Sequence, residues 1–478
     1  MVPVLTILLI VIQVFQGMAL LSFWKLIEGN FFKNLALSWL IGFSLSTLEL
    51  FLLELVGIRI SLLSVLAIQV LAFLLLTFGL RKKPTEPLRE LWALRGNLKF
   101  KIYDLPFLLT LLLFWGISAW RCYYNPPSPF DTLVGIDLVA KYAVKEGTIA
   151  NSVYFQHLTN FNNWSNQAFY APLTMIAQVL FRLSGLVFGK IWLSLAFGSF
   201  LIILFHELKD RIHSILAGWL VIILVAAPEF FAYSFLIQTD FINAVFFTLG
   251  ALYLFRFHQF EEKGFLWLSS FFMGIACWAR TETIFFVPFL MLVLWQKEPL
   301  KQVRSMNSWL LLLRYGWFPV FAILIWNNVY VPFYLPVSSI STDLFQTQFD
   351  DYGHQVSTII SSMFDSIIWQ DIYWGYIIYI FIAFVVINTL LFRDYKGSYF
   401  LYAVTLLFVV FVLMLVHIKG ANIAYTFRRG FFKFLPLFIL YMGHTTLLAK
   451  VSVALSNWEQ GLNKKPDKKG KKKGKKRR

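Results

Sequence analysis

Residues 3–24, PVLTILLIVIQVFQGMALLSFW, contain no charged side chain. The hydrocarbon core of a bilayer takes about 20 apolar residues of α-helix, so this run is long enough to cross it. No basic leader precedes it, and it reads as a retained span rather than a cleaved signal. Similar runs recur at 34–57, 60–80, 105–120, 189–207, 213–233, 241–257, 265–280, 283–297, 309–331, 371–392, 399–418 and 430–449. A β-barrel would show short alternating segments instead. The expected fold is an all-α polytopic membrane protein with about 13 transmembrane helices. A large outer first loop is expected to carry short interfacial helices, with the apolar segment 171–187 lying in the interface or dipping into the membrane.

Composition agrees. The chain has 478 residues, 59% hydrophobic, 19% aromatic and 14% charged, and its mean hydropathy is +0.68. Soluble proteins carry about 25% charged residues, so a soluble enzyme is excluded, as are disorder, collagen and a disulfide scaffold. The net charge of +17 comes mostly from NKKPDKKGKKKGKKRR at 463–478. This low-complexity tail reads as a disordered cytoplasmic anchor that touches anionic lipid. Nucleic acid is not an expected partner, because any polycation would bind it.

The positive-inside rule orients the spans. The segment 81–103, Lys209–Arg211, Lys263, Lys297–Arg304, Arg393–Lys396 and the tail are expected in the cytoplasm, with the N-terminus outside. The chain divides into a three-helix segment (1–80), a basic linker (81–104), a core (105–300), C-terminal helices with an outer loop at 334–370 (301–450) and the tail (451–478). Cys122 and Cys277 fall near outer helix ends; they read as small buried hydrophobes, with a disulfide left open.

Ionisable residues at a membrane edge are costly and mark function, and here they gather on the outer side. PPSPFDTLVGIDLVAKYAVKEG (126–147) starts a helix near Asp131, placed as an N-cap. Asp137, Lys141 and Lys145 follow at i, i+4 and i+8 on one face, as an ordinary salt-bridged surface helix would also have them. Asp240 opens the apolar span LIQTDFINAVFFTLGALYLF, where it suits either function or a cap. Arg280 and Glu282 lie in GIACWARTETIFFVP, between two spans, as a site or a local ion pair. Arg428, Arg429, Lys419 and Lys433 in IKGANIAYTFRRGFFKFLP break the positive-inside trend, which suggests an anionic ligand held by the arginine forks. No phosphate-binding glycine loop, Cys/His metal pattern or nucleophile elbow occurs. His157 and His354 fall in outer loops, where lone histidines are usually neither ligand nor catalyst. Asn163-Trp164-Ser165 matches a glycosylation sequon.

In this order the motifs resemble the GT-C superfamily of membrane glycosyltransferases, which includes protein O-mannosyltransferases and aminoarabinose transferases. The resemblance rests on Asp131 in PFDTLVGIDLVAKYAVKEG, Tyr170-Ala171-Pro172-Leu173, Thr239-Asp240-Phe241 before a small-residue span, Arg280 and Glu282, and the Arg-then-Pro pattern in FRRGFFKFLPL. It covers about 105–300 and, more loosely, 425–440; residues 1–100 have no counterpart. The acidic pair common in the first-loop motif is missing, so either Asp131 or Asp137 holds the catalytic place, with Asp131 preferred.

The resemblance implies transfer of a sugar from a polyprenyl-phosphate donor to a lipid, glycan or protein acceptor at the outer face of a cell (inner) membrane. Asp131 would act as base. Arg280, Arg428 and Arg429 would neutralise the leaving phosphate. Asp240 and Glu282 would position the acceptor, the arginines or a divalent ion, with Lys141 and Tyr170 also toward substrate. Carboxylate-only ligands suit Mg²⁺ or Mn²⁺, although nothing requires a metal. The alternative is a transporter or flippase for an anionic lipid or glycan, which predicts charges on both faces.

Overall fold

A computed structural model describes residues 2–79, 86–97, 102–157, 170–288, 290–291, 306–335, 351–394, 397–419 and 421–463. The chain is an all-α polytopic membrane protein. Eight of its described helices are long and apolar enough to cross a membrane, or nine when one bent pair counts as a span.

The first three helices are α1 (Val2–Trp24), α2 (Phe31–Leu55) and α3 (Leu62–Gly79). Asn30 caps α2 by accepting the Lys33 amide, and Ser61 and Ser64 cap the start of α3 reciprocally. Next come α4 (Glu86–Ala93) and α5 (Leu105–Tyr124). The segment after α5 forms α6 (Asp137–Glu146), ended by Gly147 at φ 81°. Four more follow: α7 (Leu173–Leu183), α8 (Ile191–Lys209), α9 (Ser214–Val225) and α10 (Pro228–Tyr233). The centre is α11 (Thr239–Phe260), buried at every residue from Thr239 to Arg256, with α12 (Lys263–Ala279) antiparallel to it. The rest is α13 (Met306–Ile323), α14 (Tyr352–Met363), α15 (Ile377–Leu390), α16 (Ser398–His417), α17 (Ile423–Gly443) and α18 (Thr446–Asn463). In α3 and α5 only 17% of the most apolar window is buried, so these two lie at the periphery of the bundle.

The connections fall into two groups at opposite ends of the bundle. At one end Ser118 donates to the Ser234 carbonyl, Thr132 to that of Ile237, and Glu54 takes the amides of Ile149 and Ala150. At the other, Lys209 pairs with Asp104, Arg211 with Gln259, and His213 with Glu459. The turns at Lys209–Arg211 and Lys263 share that second end.

Several expectations are corrected. The span at 213–233 is two helices, because Pro228 starts a new one after Ala226 and Ala227. Segment 171–187 does not lie on the protein surface: α7 is buried from Leu173 to Phe181 and packs on α2 and α6. The final span bends by 55° between α17 and α18. Residues 451–463, taken as part of the disordered tail, are helical: α18 lies across the second end, where Ser452 accepts the His213 amide. Residues 464–478, 292–305 and 158–169, and with them the Lys-rich tail, the second half of the span at 283–297 and the sequon, lie outside the described residues. Cys122 and Cys277 are buried and unpaired with each other.

α1 and α2 approach through reciprocal notches. A Cβ on Gly17 would strike the Ser38 carbonyl, and one on Gly42 the Gln13 carbonyl. Small residues permit such approach in membranes. Gly42→Ala is therefore expected to cost about 1–3 kcal/mol as overpacking, seen as a lower unfolding midpoint in detergent. An unchanged midpoint would refute the contact.

Candidate functional site

Pro126 and Pro127 follow the end of α5, and a helical turn resumes just before Asp131. Asp131 already has helical backbone angles, φ −54° and ψ −30°, and makes no side-chain cap. Its expected capping role is thereby corrected. Asp240 lies in the first turn of α11 behind the N-cap residue Gln238. It does not cap either; its carboxylate is taken by two arginines from distant segments.

Asp240 is the hub. One oxygen accepts from Arg429 Nε at 2.8 Å and faces Arg429 Nη2 at 2.7 Å. The other is in close contact with Arg280 Nη1. Arg280 Nε also contacts Glu282, and Arg429 Nη2 donates to Gln238. Arg429 Nη1 points to Asp131 at 3.8 Å. A chain of alternating charge thus runs Asp131–Arg429–Asp240–Arg280–Glu282. Lys433, almost fully buried, lies within electrostatic reach of Glu282 and Arg280. The Asp240 side chain is 0% exposed and that of Asp131 40%. Asp240 therefore holds the arginines, while Asp131 is open to a reactant.

The other expected residues go elsewhere. Asp137 is bound to Arg182 through both oxygens, at 2.7 and 2.8 Å, and accepts from Gln178 at 2.8 Å. It turns inward, whereas Lys141 and Lys145 are exposed, so the shared charged face is corrected and Asp137 holds α6 to α7. Asp137→Asn keeps one acceptor and is expected to cost about 1–3 kcal/mol, with activity per folded molecule unchanged. A selective loss of activity would return Asp137 to the site. Tyr170 is partly exposed beside the undescribed 158–169. Arg428 diverges from its neighbour: it faces Glu229 at 3.7 Å and rests on the Tyr373 ring.

For Glu282 burial raises the pKa, but Arg280 and Lys433 outweigh it, so it ionises below the usual range. Glu229 faces Arg428 instead. Three carboxylates (Asp131, Asp240, Glu282) alternate with two arginines (Arg280, Arg429). Among the described residues no three His, Cys, Asp or Glu side chains are placed to hold a metal ion, and arginines stand between the carboxylates.

The chain matches no protein-family model, no curated protein and no solved structure. Its reading therefore rests on its own geometry.

Sequence reasoning missed Gln238, Glu229 and Tyr373. The signal for Glu229 was available, as a carboxylate after Pro228 in an otherwise apolar run. It also missed a second buried network at the opposite end. There Glu207 binds Lys33 at 2.7 Å and Arg256 at 2.7 Å, and Glu28 contacts both cations. Charges are thus buried at both ends, which corrects the expectation that they sit mostly at one face. An apolar crevice of about 400 Å³ between α2, α5 and α8 also opens at that second end, near Asp104 and Lys209.

Proposed function

We propose that this chain is an integral membrane glycosyltransferase that moves a sugar from a polyprenyl-phosphate donor to a lipid, glycan or protein acceptor at the end carrying Asp131. The supporting observation is that Arg429 presents Nη1 toward exposed Asp131 while its other edge is fixed by buried Asp240. A base and a phosphate-binding group are thus held side by side. In the transfer, the acceptor hydroxyl attacks the sugar's anomeric carbon and gives its proton to Asp131. The bond from that carbon to the phosphate oxygen breaks, and its electron pair leaves with the prenyl phosphate. Arg429 and Arg280 stabilise that charge without reorganising, because Asp240 has already oriented them.

In this reading the Asp131 end faces outward in a cell (inner) membrane, the N-terminus is outside and the second end is cytoplasmic. Thirteen crossings fit if the shorter helices α9 with α10, α12 and α15 are counted as crossings and 283–297 supplies one more. Tyr170 and Lys141 stand at the rim toward the acceptor.

The transporter reading draws support from the second charged network. One assay separates the two: protein in nanodiscs is given radiolabelled polyprenyl-phosphate sugars. Release of prenyl phosphate supports the transferase. Donor moved between leaflets of vesicles without turnover supports the transporter and sinks the transferase.

A further inference from the structure

Glu49 and Glu54 lie about one and a half turns apart on α2, and their surroundings differ. Glu54 accepts from the Thr148 hydroxyl (2.8 Å), the amides of Ile149 (2.9 Å) and Ala150 (3.0 Å), and the Tyr330 hydroxyl (2.8 Å). Four donors satisfy an ionised carboxylate. Glu49 is buried toward α1 and α3 and receives one hydrogen bond, from Gln16 Nε2 to Oε1 at 2.7 Å. The same Nε2 donates to the Gln69 carbonyl at 2.8 Å, so both of its protons are used. Glu49 Oε2 and Gln16 Oε1 are left buried, with no hydrogen-bond partner among the described residues. The side-chain amide of Gln69, fully buried, is also without one.

No counter-charge is at hand. Neither Val2–Trp24 nor Leu62–Gly79 contains an Asp, Glu, Lys, Arg or His. The other elements on α2 bring charges of their own, and Arg95 of the turn 94–97 rests on the Trp92 ring. Arg182 of α7 is held by Asp137. On α8, Glu207 binds Lys33 and Arg256, Lys209 binds Asp104, and His206 is bonded to Asn30. On α4, Glu90 accepts from Ser22 at the second end, and α4 also carries Glu86 and Arg89. An ionised carboxylate so placed in a membrane is costly, and so are two buried acceptors without a donor. A single proton removes both costs. It neutralises Glu49 and lets Oε2 donate to Gln16 Oε1, which closes a two-bond ring between acid and amide.

We propose that Glu49 is a proton-binding site within the membrane. It is held as a neutral carboxylic acid against Gln16 and fastens α1 to α2 and, through the Gln69 carbonyl, to α3. This site is independent of the glycosyltransferase reading.

The test is infrared difference spectroscopy of the full chain in nanodiscs at neutral pH, wild type minus Glu49→Gln. The expected result is a protonated-carboxyl C=O band that is absent from the variant and shifts in Gln16→Leu. Ionised-carboxylate bands in its place would overturn the proposal. Thermal unfolding gives a second readout. Glu49→Gln preserves the ring and should unfold at the wild-type temperature, equally in sodium and choline buffers. A wild type stabilised by sodium, with the effect lost in Glu49→Gln, would also overturn it by giving the site to a metal cation.

Discussion

Asp131→Asn is expected to lower sugar transfer roughly a hundred- to ten-thousand-fold, the range over which a positioned base contributes. The protein should fold normally. The Asp131 carboxylate is 40% exposed and faces Arg429 at 3.8 Å, and exposed pairs are worth about 0–1 kcal/mol. The isosteric amide keeps the shape and removes only the proton acceptor. The measurement is prenyl-phosphate release, beside size-exclusion profile and unfolding midpoint. A variant with wild-type turnover would remove Asp131 from the chemistry and leave the charged chain a purely structural knot.

Asp240→Asn should fail in a different way. It leaves Arg280 and Arg429 buried without the carboxylate that joins them. Breaking a buried ion pair from one side costs about 3–5 kcal/mol, a large share of the roughly 5–15 kcal/mol that holds a domain together. Low yield and a sharply lowered unfolding midpoint are the expected outcome, with activity lost alongside the folded protein. A second change that removes the stranded charge, such as Arg280→Met with Asp240→Asn, should recover part of the stability and none of the transfer. Full stability in Asp240→Asn alone would show that the arginines do not depend on this hub.

The class of the fold was legible because hydropathy is a local property: each span announces itself within its own twenty residues. The grouping of Asp131, Asp240, Arg280, Glu282 and Arg429 at one end was legible for a related reason. Counting crossings assigns each charge to a side. The pairing was not legible. Asp137 is bound by Arg182, 45 residues away, and Lys33 by Glu207 from another helix, so the nearby Lys141 and the turn at Lys209 drew attention instead. Local charge spacing fixes which residues share a helix face, and says nothing of what packs against that face. The break before Pro228 and the helix at 446–463 were hidden in the same way. A broken span keeps its hydropathy, and α18 is too mixed in polarity to announce itself as a span.

α11 carries Asp240 in its first turn and Arg256 one turn before its end, about 24 Å apart at the helical rise, and each is tied into its own charged network. A slide by one helical turn would break both networks together and drag a wholly buried shaft through close-packed neighbours. Its rotation is resisted at two separated points, as a spindle is when clamped at both ends. The centre of the bundle is therefore a stator. Any working motion belongs to the parts around it, with the geometry at Asp240 referenced to a fixed axis.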